Sequence, residues 1–346
     1  MQVGLLTLVD TYADGLSVGD RYRQVVDLAL QAEALGFDTF WIGEHHFSPY
    51  AVPNPVPLLT AIAMQTSRIR LGTGVALAAH HDPIRFAEDY AMLDQASGGR
   101  VDVIIGRGLY LQGYAGFNQD VASGRERVEE AVRIVRGAWT ERPFSFVGQY
   151  RTVEAVTVWP PPVQQPHPPI WLGAGSPSSV ALAAAEGCHL ALPSVFSPPE
   201  TFRTTVEAYR AAAGGRDDLR VSAGRHVYVS ETTAGAEAEW EEHFERYTRF
   251  VLHEFEGPWY EGTGRRQGLD SWVTGPYRER VRAFGLCGSA EDVAARTIAM
   301  CDGLGGVEHF WSYFDVGNIG SAKLSASVER YAAGVLPLLR ERYGPG

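Results

Sequence analysis

The sequence predicts an α/β fold, a closed (β/α)8 TIM barrel that forms a single domain over residues 1–346. Two observations lead to this prediction. Short apolar runs alternate with helical patterns about eight times, which is typical of a parallel sheet. Polar and glycine-rich clusters follow the predicted strands, where the loops of a barrel carry its site. With about eight units, a closed barrel is favoured over an open doubly wound sheet.

The strands are predicted from short apolar runs bounded by glycine, proline or polar residues. They cover residues 3–8, 39–42, 69–75, 101–105, 170–173, 189–192, 221–229 and 307–314. The region 144–158 breaks this rhythm, because apolar residues alternate with polar ones on both sides of Gly148-Gln149. We therefore predict a β-hairpin inserted between barrel units at about residues 144–158.

Helices are predicted where apolar residues recur at helical spacing between the strands. They cover residues 20–35, a segment ending near 67, 83–96, 123–140, 177–186, 199–213, 234–253, 289–304 and a C-terminal segment ending near 343. We expect Asp20 to cap the first helix and Ser289 to cap the helix at 289–304. Residues 254–275 are rich in glycine, charge and tryptophan and lack periodicity, so we predict a mobile lid loop there.

Composition excludes several function classes. Hydrophobic residues make up 45% and charged residues 21% of the chain, which is typical of a globular protein. The formal net charge is −11 and no basic run is present, so we expect no binding to nucleic acids or anionic membranes. Cys188, Cys287 and Cys301 are widely spaced and predict a reducing, cytoplasmic location. Neither a signal peptide nor a run of ~18 apolar residues is evident.

The most informative stretch is Gly106-Arg107-Gly108-Leu109-Tyr110, directly after the predicted strand 101–105. The glycines allow a sharp turn and a close approach by a ligand. The planar guanidinium of Arg107 suits a phosphate, and an aromatic residue follows. This strand end is typical of a site for a flat, phosphorylated cofactor, although a solvated arginine in a plain turn has the same local pattern. The run 71–76 also contains two glycines, which let a flat ring approach the backbone or mark only a bulge.

Residues 171–179 run from a predicted strand into a helix and contain Gly173-Ala174-Gly175 followed by Ser176. The start resembles a dinucleotide fingerprint, but Ser178 stands where the third glycine belongs, so a Rossmann assignment is weak. Hydroxyl and free N–H groups at a helix start form an anion site, and the alternative is a serine that only caps the helix. In a barrel, Arg107 and this helix start would share one mouth and grip one phosphate.

The polar cluster Glu44-His45-His46-Phe47 follows the second predicted strand. A histidine there serves as a general base, a hydrogen-bond donor or a metal ligand. Adjacent histidines usually point in different directions, so we expect at most one to face the site, and a structural histidine pair is the alternative. A metal site would recruit His80, His81 or His226 with Asp82, but no HxH or HExxH spacing supports it, and we predict none.

Taken together, these residues resemble those of the bacterial luciferase-like flavin monooxygenases, with the closest likeness to the luciferase alpha-subunit branch. The resemblance covers most of the first two-thirds of the chain and becomes loose after about residue 235. The residues that carry it, in this order, are 36–39, 44–47, 83–85, 88–89, 93–95, 97, 99, 100, 107–110 and 176.

The resemblance implies a barrel that holds reduced FMN at its C-terminal mouth. His45 matches the family's active-site histidine, which assists the chemistry of the flavin C4a-hydroperoxide. Gly74 and Val75 match a non-proline cis peptide beneath the flavin ring, and Arg107 with Ser176 matches the phosphate grip. The full set of matched cofactor positions is Gly74, Val75, Arg107, Leu109, Tyr110, Gly175, Ser176 and Ser179. The predicted lid at 254–275 corresponds to the family's mobile loop.

The resemblance further implies a two-component monooxygenase. A separate reductase would supply FMNH2, and the hydroperoxide formed with O2 would transfer one oxygen atom to an organic substrate. The family also implies a homodimer. Two alternatives stay open, namely an oxidoreductase that transfers hydride with the deazaflavin F420 and a flavin-binding protein without turnover.

The chain departs from luciferase at three positions. Gly106 stands where luciferase has a reactive cysteine, and Gly113 and Gly175 stand where it has acidic residues. Light emission is therefore not implied. We interpret the small residue at position 106 as room for a bulkier substrate.

Overall fold

The computed structural model of the chain describes residues 1–12, 16–195, 197–256, 260 and 274–346. The strands are β1 (Gln2–Thr7), β2 (Thr39–Ile42), β3 (Arg70–Thr73), β4 (Val101–Ile105), β5 (Phe144–Val147), β6 (Thr152–Val156), β7 (Ile170–Gly173), β8 (His189–Ala191), β9 (Val221–Val229), β10 (Gly285–Gly288) and β11 (His309–Tyr313). The helices are α1 (Val18–Ala34), α2 (Pro55–Ala63), α3 (Pro83–Ser97), α4 (Leu111–Gly116), α5 (Gly124–Thr140), α6 (Pro177–Ala185), α7 (Arg203–Ala212), α8 (Thr233–Glu254), α9 (Tyr277–Phe284), α10 (Ala290–Gly303), α11 (Ser321–Arg330) and α12 (Leu336–Tyr343).

Eight of these strands form a closed parallel barrel, which confirms the predicted fold. Around the barrel the order is β1-β2-β3-β4-β7-β8-β9-β11, and β11 pairs with β1 to close the ring. In β1, for example, Leu5 lies opposite Phe40 of β2 and Ser312 of β11. Because all eight strands are parallel, their C-terminal ends meet at one mouth of the barrel.

Three parts of the fold lie outside the simple alternation. The strands β5 and β6 form an antiparallel hairpin within the predicted region 144–158. The strand β10 pairs with the C-terminal half of β9, and neither it nor α9 was expected from the sequence. The helix α4, also unexpected, has 6 residues and lies between β4 and α5. The elements α4, α9 and β10 are too short for periodicity to reveal them.

Polar side chains begin several helices. The prediction that Asp20 caps α1 is wrong. The cap residue is Ser17, which has an extended backbone and whose Oγ accepts a hydrogen bond from the Asp20 N–H at 3.1 Å. Asp20 instead lies in the first turn, where its carboxylate interacts favourably with the positive end of the helix dipole. Ser289 caps α10 as predicted, accepting from the Asp292 N–H at 3.3 Å. Among the helices that the structure describes, none has the length and apolar content of a transmembrane span.

Aromatic side chains fill the barrel interior below the mouth. The ring centroids of Trp41 and His309 lie 4.2 Å apart, and those of Trp41 and Trp171 lie 6.2 Å apart. The His309 ring nitrogens are hydrogen-bonded to Thr39 Oγ1 at 2.7 Å and Ser222 Oγ at 2.9 Å. Burial lowers the pKa of His309 to about 3, so this ring is neutral at pH 7. The packed interior forms the floor of the cavity described next.

Candidate active site

A cavity of about 420 Å³ opens at the C-terminal ends of the barrel strands. Side chains that follow β2, β3, β4, β7 and β8 line it, together with residues of β1 and β11. All the site residues predicted from the sequence line this cavity, namely His45, Gly74, Val75, Arg107, Leu109, Tyr110, Gly175, Ser176 and Ser179. The structure therefore brings together residues that are up to 134 positions apart, because each follows a strand of one barrel.

One side of the cavity carries cations and hydroxyl groups. Arg107 follows β4, Ser176 and Ser179 lie at the start of α6, and Arg125 lies at the start of α5. Within the described part of the chain, neither Arg107 nor Arg125 forms an ion pair with an acidic side chain. The sequence analysis missed Arg125, because one arginine in an amphipathic helix has no distinguishing local signal. We call Arg107, Arg125, Ser176 and Ser179 the phosphate side of the cavity.

The helix start on the phosphate side is held by a reciprocal capping box. The Ser176 side chain accepts from the Ser179 N–H, and the Ser179 hydroxyl accepts from the Ser176 N–H at 3.1 Å. The two hydroxyl oxygens lie 2.8 Å apart, and Ser178 Oγ lies 3.3 Å from Ser176 Oγ. Ser176 is thus the N-cap of α6, which was one of the two alternatives that the sequence left open. The exposed hydroxyls and the positive end of α6 also face the cavity, so this position suits an anion as well.

The centre of the cavity presents backbone and small side chains. The Gly74–Val75 peptide is cis, as the family resemblance implied. Gly74, Gly106 and Gly173 line this region and offer no side chain to a flat ligand. The interpretation that Gly106 leaves room for a bulkier substrate is wrong, because a Cβ added at position 106 would overlap Cγ2 of Val75. The Val75 side chain already fills that space.

His45 lies beside the central region with an unpartnered ring nitrogen. Its ring stacks on Tyr50 with centroids 4.0 Å apart and an interplanar angle of 24°, and it tilts against Tyr110 at 5.4 Å. The Nδ1 atom is buried and has no hydrogen-bond partner. Burial lowers the pKa of His45 to about 3, so the imidazole is neutral at pH 7. It is suited to donating or accepting one hydrogen bond rather than to supplying a proton from an imidazolium.

His46 also lines the cavity, contrary to the expectation that at most one of the two histidines would do so. Its Nε2 lies 2.8 Å from Glu44 Oε1, and His81 Nε2 lies 2.7 Å from the same oxygen. Burial raises the pKa of Glu44, but the hydrogen bonds from both histidines outweigh it and hold that pKa at about 2. The ligating atoms of these three residues lie within 4.8 Å of one another, the spacing of a metal site. Their shared hydrogen bonds account for the geometry without an ion.

Another part of the cavity lining is aromatic. Tyr50, Tyr110, Tyr247 and Tyr313 line it, and we call these four residues the tyrosine wall. Behind the wall lies a buried polar network that the sequence analysis did not foresee. Asp10 accepts from the hydroxyls of Tyr313 at 2.7 Å and Tyr12 at 2.8 Å, and Arg21 pairs with Asp315. Burial, with repulsion from Asp315, raises the pKa of Asp10 to about 7.

The predicted lid at 254–275 falls largely outside the described residues, which omit 257–259 and 261–273. At its described positions, the Tyr260 hydroxyl donates to Gln112 Oε1 at 2.9 Å and accepts from the Leu111 N–H at 2.8 Å. Residue 260 thus lies on α4, at the rim of the cavity. Whether the rest of the segment forms a lid stays a prediction.

Comparison with known proteins identifies the family of this chain and solved structures with a similar fold. A family model described as luciferase-like monooxygenase matches residues 1–306. The oxygenase component of a flavin-dependent trigonelline monooxygenase from Acinetobacter baylyi is 27% identical over 357 residues, covering 99% of this chain and 96% of the relative. An F420-dependent glucose-6-phosphate dehydrogenase from Kineococcus radiotolerans is 32% identical over 196 residues, covering 52% of this chain and 57% of the relative.

Two solved structures extend the comparison. A monooxygenase from Streptomyces bottropensis has a TM-score of 0.82 and 27% identity, covering 97% of this chain and 99% of that one. The oxygenating constituent of 3,6-diketocamphane monooxygenase from Pseudomonas putida, a type II Baeyer–Villiger monooxygenase in complex with FMN, has a TM-score of 0.80 and 22% identity, covering 97% of this chain and 98% of that one. At this identity, the second structure supports the fold alone.

Proposed function

The chain belongs to the luciferase-like monooxygenase family, and from this premise we propose that it is the oxygenase of a two-component system. It uses reduced FMN and O2 to insert one oxygen atom into an organic substrate. The observation that carries the proposal is the two-sided cavity at the barrel mouth. A cationic, hydroxyl-rich side suits the phosphate, and the unpartnered His45 nitrogen lies beside a small-residue patch that suits a flat ring.

The residues present fit FMN. Its phosphate is a dianion, and the phosphate side offers two guanidinium groups free of acidic partners and the start of α6. The flat ring needs a surface of backbone and small side chains, which the cis Gly74–Val75 peptide and Gly173 would provide. A volume of about 420 Å³ is within the ~300–1,000 Å³ typical of cofactor and small-molecule sites.

When bound, reduced FMN supplies the electrons and the activation of O2. The protein's own residues would hold and orient the cofactor and shield it from water. Arg107 and Ser176 would hold the phosphate. The apolar and aromatic lining excludes water, which protects a reactive oxygen species from hydrolysis and proton leakage. His45, neutral at pH 7, would offer one hydrogen bond from its unpartnered Nδ1 to the bound group.

Hydride transfer with F420 is the second candidate, because a relative 32% identical over part of the chain is named as F420-dependent. The phosphate side would suit the phosphate group of a deazaflavin cofactor equally well. A flavin-binding protein without turnover is the third candidate. The identity of the bound cofactor separates the first two, and a product that requires O2 separates the third.

We further propose a separate reductase, a homodimer and a cytoplasmic location for this single barrel domain. The Acinetobacter baylyi relative is named as an oxygenase component, which supports a partner reductase. Met64, beside α2, and Met92, on α3, are 71% and 55% exposed and support a contact with a second copy. The three cysteines are free and buried, which suits a reducing compartment. Sedimentation at micromolar concentration tests the dimer, and a monomer would contradict it.

The proposed function is tested by binding under argon. Reduced FMN should bind the wild-type protein, and Arg107→Ala should weaken this binding about tenfold to a hundredfold, because a charge-assisted hydrogen bond is lost. Riboflavin, which lacks the phosphate, should bind both proteins equally. Arg85→Ala is the matched control, since Arg85 pairs with Asp89 on the surface of α3. Preferential binding of reduced F420 would contradict the FMN assignment.

A second measurement tests the role of His45. His45→Asn should leave the affinity for reduced FMN within about threefold and change the rate at which O2 reoxidises the bound flavin. This expectation follows because His45 lines the cavity with an unpartnered nitrogen and is not one of the phosphate-side residues. An unchanged reoxidation rate would show that His45 takes no part in the reaction with O2.

A further inference from the structure

Two residues of the tyrosine wall, Tyr50 and Tyr313, come from the part of the barrel opposite the phosphate side. The phosphate side follows β4 and β7, whereas Tyr50 follows β2 and Tyr313 ends β11. In the barrel order, β11, β1 and β2 lie across the mouth from β4, β7 and β8. A cofactor anchored at the phosphate side therefore leaves Tyr50 and Tyr313 to face a second molecule.

Tyr50 is rigidly placed within this wall. It is 5% exposed, its ring stacks on His45 at 4.0 Å, and Phe250 packs edge-on against it at 5.3 Å. A backbone bridge joins residue 50 to Asp10. With the ring fixed between two partners, the direction of the hydroxyl is fixed as well.

The Tyr50 hydroxyl has no hydrogen-bond partner, although it is buried. The hydroxyls of Tyr12 and Tyr313, by contrast, both donate to Asp10. The Tyr110 hydroxyl lies close by: a weak hydrogen-bonding contact with Tyr50 lowers the pKa of Tyr110, but its distance and angle fall short of a full hydrogen bond. Buried hydroxyls are normally satisfied, because leaving one unpaired destabilises the fold. The orphan donor therefore points to a partner that arrives with a ligand.

We propose that the Tyr50 hydroxyl recognises the substrate by donating a hydrogen bond to an uncharged acceptor oxygen, a carbonyl or hydroxyl, on an apolar or aromatic body. This assignment rests on the proposed function, which places the cofactor at the phosphate side. The four residues of the tyrosine wall carry no formal charge at pH 7, and burial raises the pKa of Tyr50 further, so its hydroxyl stays a neutral donor. A neutral donor among aromatic rings suits a neutral oxygen and leaves a carboxylate without a countercharge.

The test compares acetophenone with ethylbenzene, two probes of similar shape of which only the ketone accepts a hydrogen bond. Binding is measured by calorimetry on the FMN-loaded protein and on the protein without FMN. The wild type should bind acetophenone about tenfold more tightly, and Tyr50→Phe should bind both probes equally. Tyr209→Phe is the matched control, because it removes an equally buried hydroxyl that donates to Cys188 O at 2.6 Å outside the cavity. It should keep the preference.

Thermal unfolding of the protein without ligand provides an independent measurement. Tyr50→Phe should keep or raise Tm, because it removes an unpaired hydroxyl, whereas Tyr209→Phe should lower Tm. A fall in Tm for Tyr50→Phe as large as that for Tyr209→Phe would show that the hydroxyl has a structural partner and would overturn the proposal.

The binding outcomes separate this inference from the proposed function. No ketone preference in the wild type, including no measurable binding of either probe, overturns the role of Tyr50. Benzoate binding as tightly as acetophenone overturns the uncharged class. Failure of FMN to bind, with the ketone preference intact in the unloaded protein, contradicts the FMN proposal and leaves the hydrogen-bond donor in place.

Discussion

At His45 and Tyr50, two stacked rings each bury a polar atom without a protein partner. Single residues of this kind, rather than the fold, distinguish one member of a barrel family from another, because the fold supports many chemistries. Both residues line one cavity, which is why a ligand rather than strain is the natural explanation. Gly106 is another such single residue: the space that its side chain would occupy is filled by the side chain of Val75.

Gly106→Ala should therefore destabilise the protein by about 1–3 kcal/mol, because the new methyl group overlaps Val75 in a packed region. The double variant with Val75→Ala should recover part of this loss, with a coupling of about 0.5–3 kcal/mol. Urea unfolding of the four proteins of the cycle measures both values. Additive effects would mean that Val75 does not occupy the space at position 106.

At the scale of the element, the start of α6 serves the fold and the site at once. Ser176 and Ser179 satisfy each other's backbone N–H groups, so the helix begins at a defined residue on the cavity rim. Capping and anion binding use the same physical feature, the unsatisfied N–H groups and positive end of a helix. A capping motif alone cannot tell the two apart, but its position beside Arg107 and Arg125 can.

Ser176→Ala and Ser289→Ala should each cost about 1 kcal/mol of stability, because each removes the N-cap of one helix. Only Ser176→Ala should also weaken the binding of reduced FMN, by about tenfold, since α10 does not line the cavity. Chemical denaturation and anaerobic titration measure the two effects. Equal FMN affinities for the two variants would mean that Ser176 only caps the helix.

At the scale of the whole molecule, closing the barrel buries ionisable groups along with its apolar interior. Burial lowers the pKa of His45, His226 and His309 to about 3, so these rings fold in the neutral form. Unfolding exposes them and restores a pKa near 6.5. Asp10 has the opposite sign, because its folded pKa is raised to about 7.

The histidines contribute stability that is present above pH 6.5 and is lost as the pH falls toward 3, because the unfolded chain binds the protons. The contribution of Asp10 is present at low pH and is lost as the pH rises through about 7. Among these four groups three oppose one, so their combined contribution to the free energy of unfolding should fall between pH 6 and 4.5, by up to about 3 kcal/mol per pH unit. Urea titrations at several pH values measure this slope.

The control for the pH dependence is Asp10→Asn, which removes the opposing carboxyl group. Its stability should fall more steeply than that of the wild type over the same range, whatever its starting value. A free energy of unfolding that stays flat or rises on acidification would contradict neutral burial of the histidines.

The strands were the most predictable elements, and four of them, β2, β4, β7 and β9, have the bounds that their apolar runs predict. Both faces of a parallel barrel strand are buried, one in the barrel interior and one under the helices. Such strands are therefore continuous apolar runs that are easily recognised in a sequence. The elements α4, α9 and β10 were missed, because 4 to 8 residues are too few for a period to emerge. Ser17 was missed as a cap because Asp20 is an equally good cap residue in isolation.

By itself, the sequence determined the alternation of strands and helices, the inserted hairpin and the chemical types at each strand end. These are local properties, set by hydrophobic period and by the conformational preferences of single residues. Only the tertiary structure decided that Val75 fills the space beside Gly106 and that Arg125 joins Arg107. It also decided that Asp10 receives the Tyr313 hydroxyl while that of Tyr50 stays unpaired. Such pairings depend on distances across the closed barrel, and no local pattern in the chain encodes them.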